Sequence, residues 1–445
     1  MAFVPVYILI LGFTIVVDYF AGIWIENAQG KHRKLFLILS LIANIGVLVF
    51  FKYFNFINQN LSFLLENFET KNPLPYLSIL LPIGLSFHTF QAMSYTIEVY
   101  RGNHPAEKHF GIYALYVMFY PQLVAGPIER PQNILYQFRE KHHFNYEQVT
   151  IGLKLAAWGL FKKVVIADRL SIVVDSVYNH PQHFNSFSLI LATVFFAFQI
   201  FCDFSGYSDM AIGIARVMGF RLMVNFNKPY QAKSLHEFWQ RWHISLSTWF
   251  RDYLYIPLGG NRVAISRWYF NLFIVFLISG LWHGASWTYI IWGALHGFYL
   301  IFAIITKNFR EKTNKLLLLD KIPFLSTLTT FLLVAFAWIF FRADNLHTAF
   351  YIVKHIFTDI PDIINHFTNH LPVLQDYGLN NKEMALSVLL ILFLETVQYL
   401  QGKRSIVQAL ACKPVWLRWS VYYILLIMIV VFGEFSQRQF IYFQF

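Results

Sequence analysis

Among the residues whose types could do chemistry, His283 comes first. It lies in the stretch LWHGASW, Leu281 to Trp287, at the junction of two apolar runs, Trp268 to Gly280 and Thr288 to Ile305. An ionisable group at membrane depth is costly, so it faces a polar cavity or a partner. Gly284 and Ala285 predict room beside the imidazole for another group. With an ordinary pKa of about 6.5, an imidazole can take a proton from a hydroxyl near neutral pH. The bland alternative is a histidine that hydrogen-bonds a backbone carbonyl in a helix bundle. The stretch by itself favours that alternative, and the rest of the chain reverses the balance.

A second histidine, His243, stands in SLHEFWQRWHISLSTWFRDYLYIPLGGNR, Ser234 to Arg262. Gln240, His243, Ser247 and Arg251 fall on one face of a helix, and Trp239, Trp242, Leu246 and Trp249 on the other. The pattern predicts one amphipathic helix with its polar stripe on a cavity. Surface amphipathic helices are rich in lysine, and this stretch has none. A third polar-in-apolar stretch, FCDFSGYSDMAIGIARVMGF, carries Asp203, Ser205, Ser208 and Asp209. No carboxylate stands at ligand spacing from His283 or His243 on its own segment, so no metal is expected. The strand–turn–helix context of a serine hydrolase and a Walker motif are both absent. On these residues alone, histidines and aspartates could serve a proton-coupled secondary transporter equally well.

These side chains must be positioned by membrane helices. The chain is 57% hydrophobic and 13% charged, about half the charged share of a soluble domain. Apolar runs of membrane-spanning length recur from end to end, predicting an all-α polytopic membrane protein of about ten to twelve crossing or partial segments. The first run, Val4 to Ile25, reads as a membrane helix and not as a removed signal peptide. The net charge of +11 resides in short loops between the runs. That is the positive-inside pattern, and it argues against nucleic acid as a partner. The clusters Lys31 to Lys34 and Lys307 to Lys321 predict cytoplasmic loops, whereas the acidic balance of Ala343 to Asn380 predicts an outer loop. Lys154, Lys162 and Lys163 read as part of the inner basic set. Cys202 and Cys412 do not read as a disulfide.

Within this frame, residues 1–445 read as a single membrane domain: a core over 81–342, an outer loop over 343–383 and an aromatic tail over 433–445. A third helix is expected from about Leu74, loosened by Pro82 and Gly84, with His88, Gln91 and Tyr95 on one face. The run Phe119 to Pro131 predicts a re-entrant or bent segment followed by a cytoplasmic loop.

Taken together, LPIGLSFHTFQAMSYTIEVYRG, VAGPIERP, DFSGYSDMAIG, FWQRWHISLSTWFRDYLYIPLGGNR, LWHGASWTYIIWGALHG and WIFFRA are similar to the membrane-bound O-acyltransferase family. The resemblance is strongest to the bacterial branch that O-acetylates exported alginate or peptidoglycan, and it runs from about Leu81 to Arg342. It implies a ring of tilted and re-entrant helices around a central tunnel. It also implies that His283 is the catalytic histidine and His243 the second histidine near the tunnel, with Gln240, Ser247, Arg251, Asp203, Asp209 and Trp282 as tunnel-lining candidates. The implied donor is a cytoplasmic thioester, acetyl-CoA, with no bound cofactor. The implied partners are membrane lipid, a periplasmic or extracellular O-acetyltransferase and a cell-wall polysaccharide, with the protein in the bacterial inner membrane. Two departures stand out: the N-terminus is shorter than the family's by about two helices, and His88 occupies a position where a tyrosine is expected. The tail FIYFQF, Phe440 to Phe445, reads on its own as an aromatic interfacial anchor. It is also similar to the C-terminal acceptor peptide of the small partner protein in teichoic acid D-alanylation. That likeness makes Tyr442 an acyl-carrier candidate.

Overall fold

The computed structural model describes residues 7–78, 82, 84–123, 126–318, 322–358, 377–402, 410–435 and 440–441. Two compact units are distinguished. The first comprises Met1–Val149 with Ile214–Met223, the second Thr150–Gly213 with Val224–Phe445. Among the described residues, eight helices are long and apolar enough to cross a membrane. The remaining helices are shorter or more polar, which accounts for the partial segments expected from the hydropathy pattern.

The first unit starts with α1 (Tyr7–Asn27) and α2 (Gly30–Leu48). A π turn at Val49–Tyr53 joins α2 to α3 (Phe54–Glu66), so this apolar run stays helical as far as Glu66. Asp18 of α1 is buried where Ser40 donates to it at 2.6 Å and Asn44 at 2.8 Å from α2. A carboxylate inside a bundle needs such donors. The next helix, α4, spans Leu85–Arg101 and does not begin near Leu74. Pro73, Pro75 and Pro82 lack the N–H that a helix needs. Gly84 then takes a left-handed φ of 79°, so the helix starts immediately after it. His88, Gln91 and Tyr95 are all buried on α4. Gln91 donates to the Tyr116 carbonyl, and the Tyr95 hydroxyl accepts from the Glu107 N–H at 2.9 Å. Their stripe is packing glue within this unit. After α5 (Phe110–Met118) the described residues form no regular helix up to α6 (Pro131–Ile134). The loop carboxylate Glu129 is buried there, accepting from the Met223 N–H at 2.5 Å and from Asn133 at 3.2 Å. Burial pushes its pKa up to about 7, partly offset by those two donors.

The second unit takes up α7 (Tyr146–Phe161), a π segment over Lys162–Ala167, α8 (Asp168–Asn179) and α9 (Ser186–Val217), whose last residues belong to the first unit. α9 is 32 residues long, about 48 Å at 1.5 Å per residue. It is held against α7 by glycines: a Cβ on Gly206 would lie 2.7 Å from the Gly159 carbonyl oxygen, and one on Gly213 would meet the Gly152 carbonyl. Lys162 and Lys163, read with the inner basic set, are engaged by carboxylates. Lys162 pairs with Asp209 at 2.8 Å, and Lys163 with Asp203 at 2.7 Å and Asp168 at 2.6 Å.

The stretch expected as one amphipathic helix is broken. α10 (Leu235–Arg241) starts on the Ser234 cap, whose side chain accepts from the Glu237 N–H. α11 (Ile244–Phe250) follows, and then a π turn over Arg251–Tyr255. The break is at His243, whose φ of 42° is left-handed. Helical periodicity is blind to such a residue, so the four polar positions do not share a face. α12 (Ile265–His283) and α13 (Trp287–Ile305) form a tight helical hairpin. A Cβ on Gly280 would fall on the Tyr289 carbonyl, and one on Gly293 on the Phe276 carbonyl. α14 (Lys307–Leu316) is exposed and basic; α15 (Pro323–Arg342) returns into the core. The stretch read as an outer loop opens on a short helix, α16 (Leu346–Thr358), and α17 (Asn381–Leu400) and α18 (Val415–Phe432) follow among the described residues. α7 and α18 run parallel: Lys154 lies over the Tyr422 ring, and further along both chains Glu434 N–H donates to the Val164 carbonyl at 2.8 Å.

Candidate active site

His283 is the last residue of α12, 4% exposed. Its ring is walled by Trp282 and Trp292, each 5.0 Å away between centroids, and by Phe341 at 5.3 Å. The helix ends there because Gly284 is extended and Ser286 caps α13, accepting from the Thr288 N–H. A Cβ on Gly284 would fall on the Tyr289 ring, so the glycine admits the close approach of that tyrosine. The WIFFRA stretch supplies the far wall. Trp338 stacks on Trp292 and donates from its indole nitrogen to the Tyr230 hydroxyl at 3.3 Å.

His243 is fully buried and belongs to the same unit. Its Nδ1 lies 3.1 Å from Asn225 Oδ1. That oxygen also accepts from the Ser245 backbone N–H at 3.2 Å, which can only donate, and from Ser245 Oγ at 2.9 Å, while the Asn225 amide nitrogen donates to Ser208 Oγ at 3.3 Å. The amide is thereby oriented with its oxygen toward the imidazole, so His243 Nδ1 carries the proton and Nε2 the lone pair. Asn225 has no periodic or motif signal in the sequence. Its backbone carbonyl also accepts from the Ile244 N–H at 2.9 Å, fixing the start of α11.

Trp282 links the two histidines, with its ring 6.2 Å from His243 and 5.0 Å from His283. Of the other sequence-predicted residues, Asp203 and Asp209 face their lysines on α9. Ser247 donates to the Trp242 carbonyl at 3.2 Å. Gln240 and Arg251 are exposed; Gln240 bonds His236 at 3.0 Å and Arg251 pairs with Asp252 at 2.8 Å. No group of three histidine, cysteine, aspartate or glutamate side chains suited to a metal ion occurs among the described residues. The arrangement is two buried imidazoles packed among aromatic rings, one of them with its tautomer set. Such a setting suits proton transfer at a hydroxyl.

The tail approaches the same region of this unit. Phe440 and Ile441 are buried. The Phe440 ring is 6.0 Å from that of Phe204, whose ring is itself 4.6 Å from His243. Tyr442 lies outside the described residues.

Comparison with known proteins gives this geometry its family. The profile of the membrane-bound O-acyltransferase family matches residues 105–316. A peptidoglycan O-acetyltransferase of Helicobacter pylori is 38% identical over 380 residues, covering 78% of this chain and 69% of that protein. A probable alginate O-acetylase of Pseudomonas aeruginosa is 41% identical over 356 residues, 79% of this chain and 66% of that protein. A teichoic acid D-alanyltransferase of Bacillus subtilis is 29% identical over 247 residues, 52% of this chain and 60% of that protein. The chain spans about two thirds of the length of the first two relatives. Profile, relatives and all-helical architecture agree: the chain belongs to the membrane-bound O-acyltransferase family.

Proposed function

We propose that this protein is a multi-pass O-acetyltransferase of the bacterial cytoplasmic membrane. It takes acetyl from a cytoplasmic thioester, acetyl-CoA, and passes it across the membrane for O-acetylation of a cell-wall or exported polysaccharide. The polysaccharide class follows from the relatives, one named for peptidoglycan and one for alginate. A periplasmic or extracellular transferase would complete the transfer.

In this reading His283 is the general base. It takes the proton of the attacking hydroxyl as the oxygen bonds to the thioester carbonyl carbon. The carbon–sulfur bond then breaks, and the thiolate leaves with that proton. His243 assists from the other side of Trp282. The hydroxyl is that of Tyr442, a phenol with an ordinary pKa of about 10 that needs a base to attack at neutral pH. The observation that carries the reading is the burial of both histidines around one tryptophan in a chamber otherwise lined by aromatic rings.

The transporter alternative has less support. Family membership favours an enzyme, and the carboxylates it would use, Asp203 and Asp209, are each engaged by a lysine. Incubation of purified protein with acetyl-CoA tests the proposal. Thioester consumption and one acetyl group on Tyr442 by intact-mass analysis are expected, the latter absent in His283→Ala. A protein that consumes no thioester would return the transporter to the lead.

A further inference from the structure

The π segment at Lys162–Ala167 has a use that the reaction at the histidines does not absorb. In an α-helix, consecutive residues point about 100° apart. Here Lys162 and Lys163, adjacent in sequence, both reach carboxylates on α9. A single π turn allows this because the extra residue re-aims the side chains and leaves the local backbone bonding irregular. The same segment offers a backbone carbonyl outward, and Val164 accepts from the Glu434 N–H at 2.8 Å. Arg169, on the following turn, donates to the Phe432 carbonyl at 2.9 Å. Farther along the tail, Asp203 Oδ2 accepts from the Ile441 N–H at 2.7 Å while Lys163 holds its Oδ1. Phe440 packs on Tyr207 at 5.2 Å as well as on Phe204. Asp203 is only 3% exposed, so its bond to Ile441 is charge-assisted and shielded from water.

We propose that Lys163, Asp203 and the Val164 carbonyl form a seat for the chain's own C-terminal peptide. In this seat Asp203 is a positioning residue that fixes where the chain after Ile441 is delivered. The seat is a peptide-binding site of the kind that captures backbone N–H groups with a carboxylate, and its ligand is covalently attached. An attached ligand does not have to be recruited from solution, so a few anchors suffice. Phe432, Glu434, Phe440 and Ile441 are each held, whereas an interfacial anchor would require only exposed aromatic rings. The consequence for transfer rests on Tyr442 as acyl carrier; the seat itself does not.

Hydrogen–deuterium exchange on the C-terminal peptide of the full-length protein reads the seat directly. Asp203→Ala should raise exchange at the Ile441 amide by about tenfold or more, the scale of a lost charge-assisted bond. Asp203→Asn keeps an acceptor and should restore most of the protection. Asp203→Ala leaves Lys163 with Asp168 as its one remaining carboxylate, so the double variant Lys163→Met/Asp203→Leu, which removes that pair of charges together, supplies a second measurement. Unchanged exchange in the alanine and double variants overturns the seat. Released tails with undiminished acetylation of Tyr442 overturn the positioning role. If Tyr442 is never acetylated in the wild type, the carrier reading fails, and exchange still decides the seat.

Discussion

Asn225 Oδ1 sits 3.1 Å from His243 Nδ1 and accepts from Ser245 as well, so one amide sets the tautomer of a histidine that breaks a helix. The left-handed backbone at His243 is uncommon outside glycine but more accessible to histidine and asparagine than to branched residues. It aims the ring inward between Phe204 and Trp282. His243→Asn should therefore fold normally while losing roughly tenfold in transfer, a smaller effect than for a principal base. His243→Val should fold poorly. Asn225→Ala should match His243→Asn, and the double variant should be no worse than either, because both act through one imidazole. Additive losses in initial-rate assays would separate the two residues.

His283→Ala should lower acetyl transfer by roughly 10²-fold or more, the usual scale for a general base. The protein should still insert and run as a single species on size exclusion, because its Trp282, Trp292 and Phe341 walls remain. Near-normal rates in that folded variant would remove His283 from the chemistry.

The α12–α13 hairpin delivers His283 and should tolerate no side chain at its crossing. Gly280→Ala places a methyl on the Tyr289 carbonyl and should cost about 1–3 kcal/mol, the range for overpacking. Gly46→Ala in α2 meets nothing within 4 Å and should be neutral or slightly stabilising. Thermal unfolding in detergent compares the two, and equal midpoints would contradict the close approach.

Glu129 predicts a pH effect in the first unit. Its folded pKa of about 7 lies above the ordinary value of 4.5. Between those values the folded state holds a proton that the unfolded chain has released. Stability therefore falls as pH rises from about 4.5 through 7, by up to about 1.4 kcal/mol per pH unit. Glu129→Gln should flatten that part of the profile. A wild-type midpoint that rises over the same window would reverse the sign.

Orientation is open to labelling. In a background without Cys202 and Cys412, a cysteine at Arg310 in the basic α14 should be shielded from an impermeant reagent outside intact cells, and one at Asp344 should be labelled. The opposite pattern would invert the topology.

Composition and order of the residues were enough for the membrane class, the main apolar helices and the apolar runs that form the α12–α13 hairpin, and they singled out His283 and His243 as candidates. Hydrophobic burial in lipid and repeated local motifs are properties of short stretches, and they survive without any knowledge of distant neighbours. Resemblance over dense motifs supplied the family by the same route. The tertiary structure alone decided what depends on exceptions to periodicity. The left-handed residue at His243 splits an apparent amphipathic helix, and the π turn at Lys162–Ala167 pairs two lysines of the inner basic set with Asp203 and Asp209. Asn225 gains its role only because Ser208 and Ser245 orient it from 17 and 20 residues away. Tyr289 packs onto Gly284 only because α12 and α13 pair as a hairpin. Each of these is a pairing between chain segments, and a pairing energy has no signature in the local pattern of either segment.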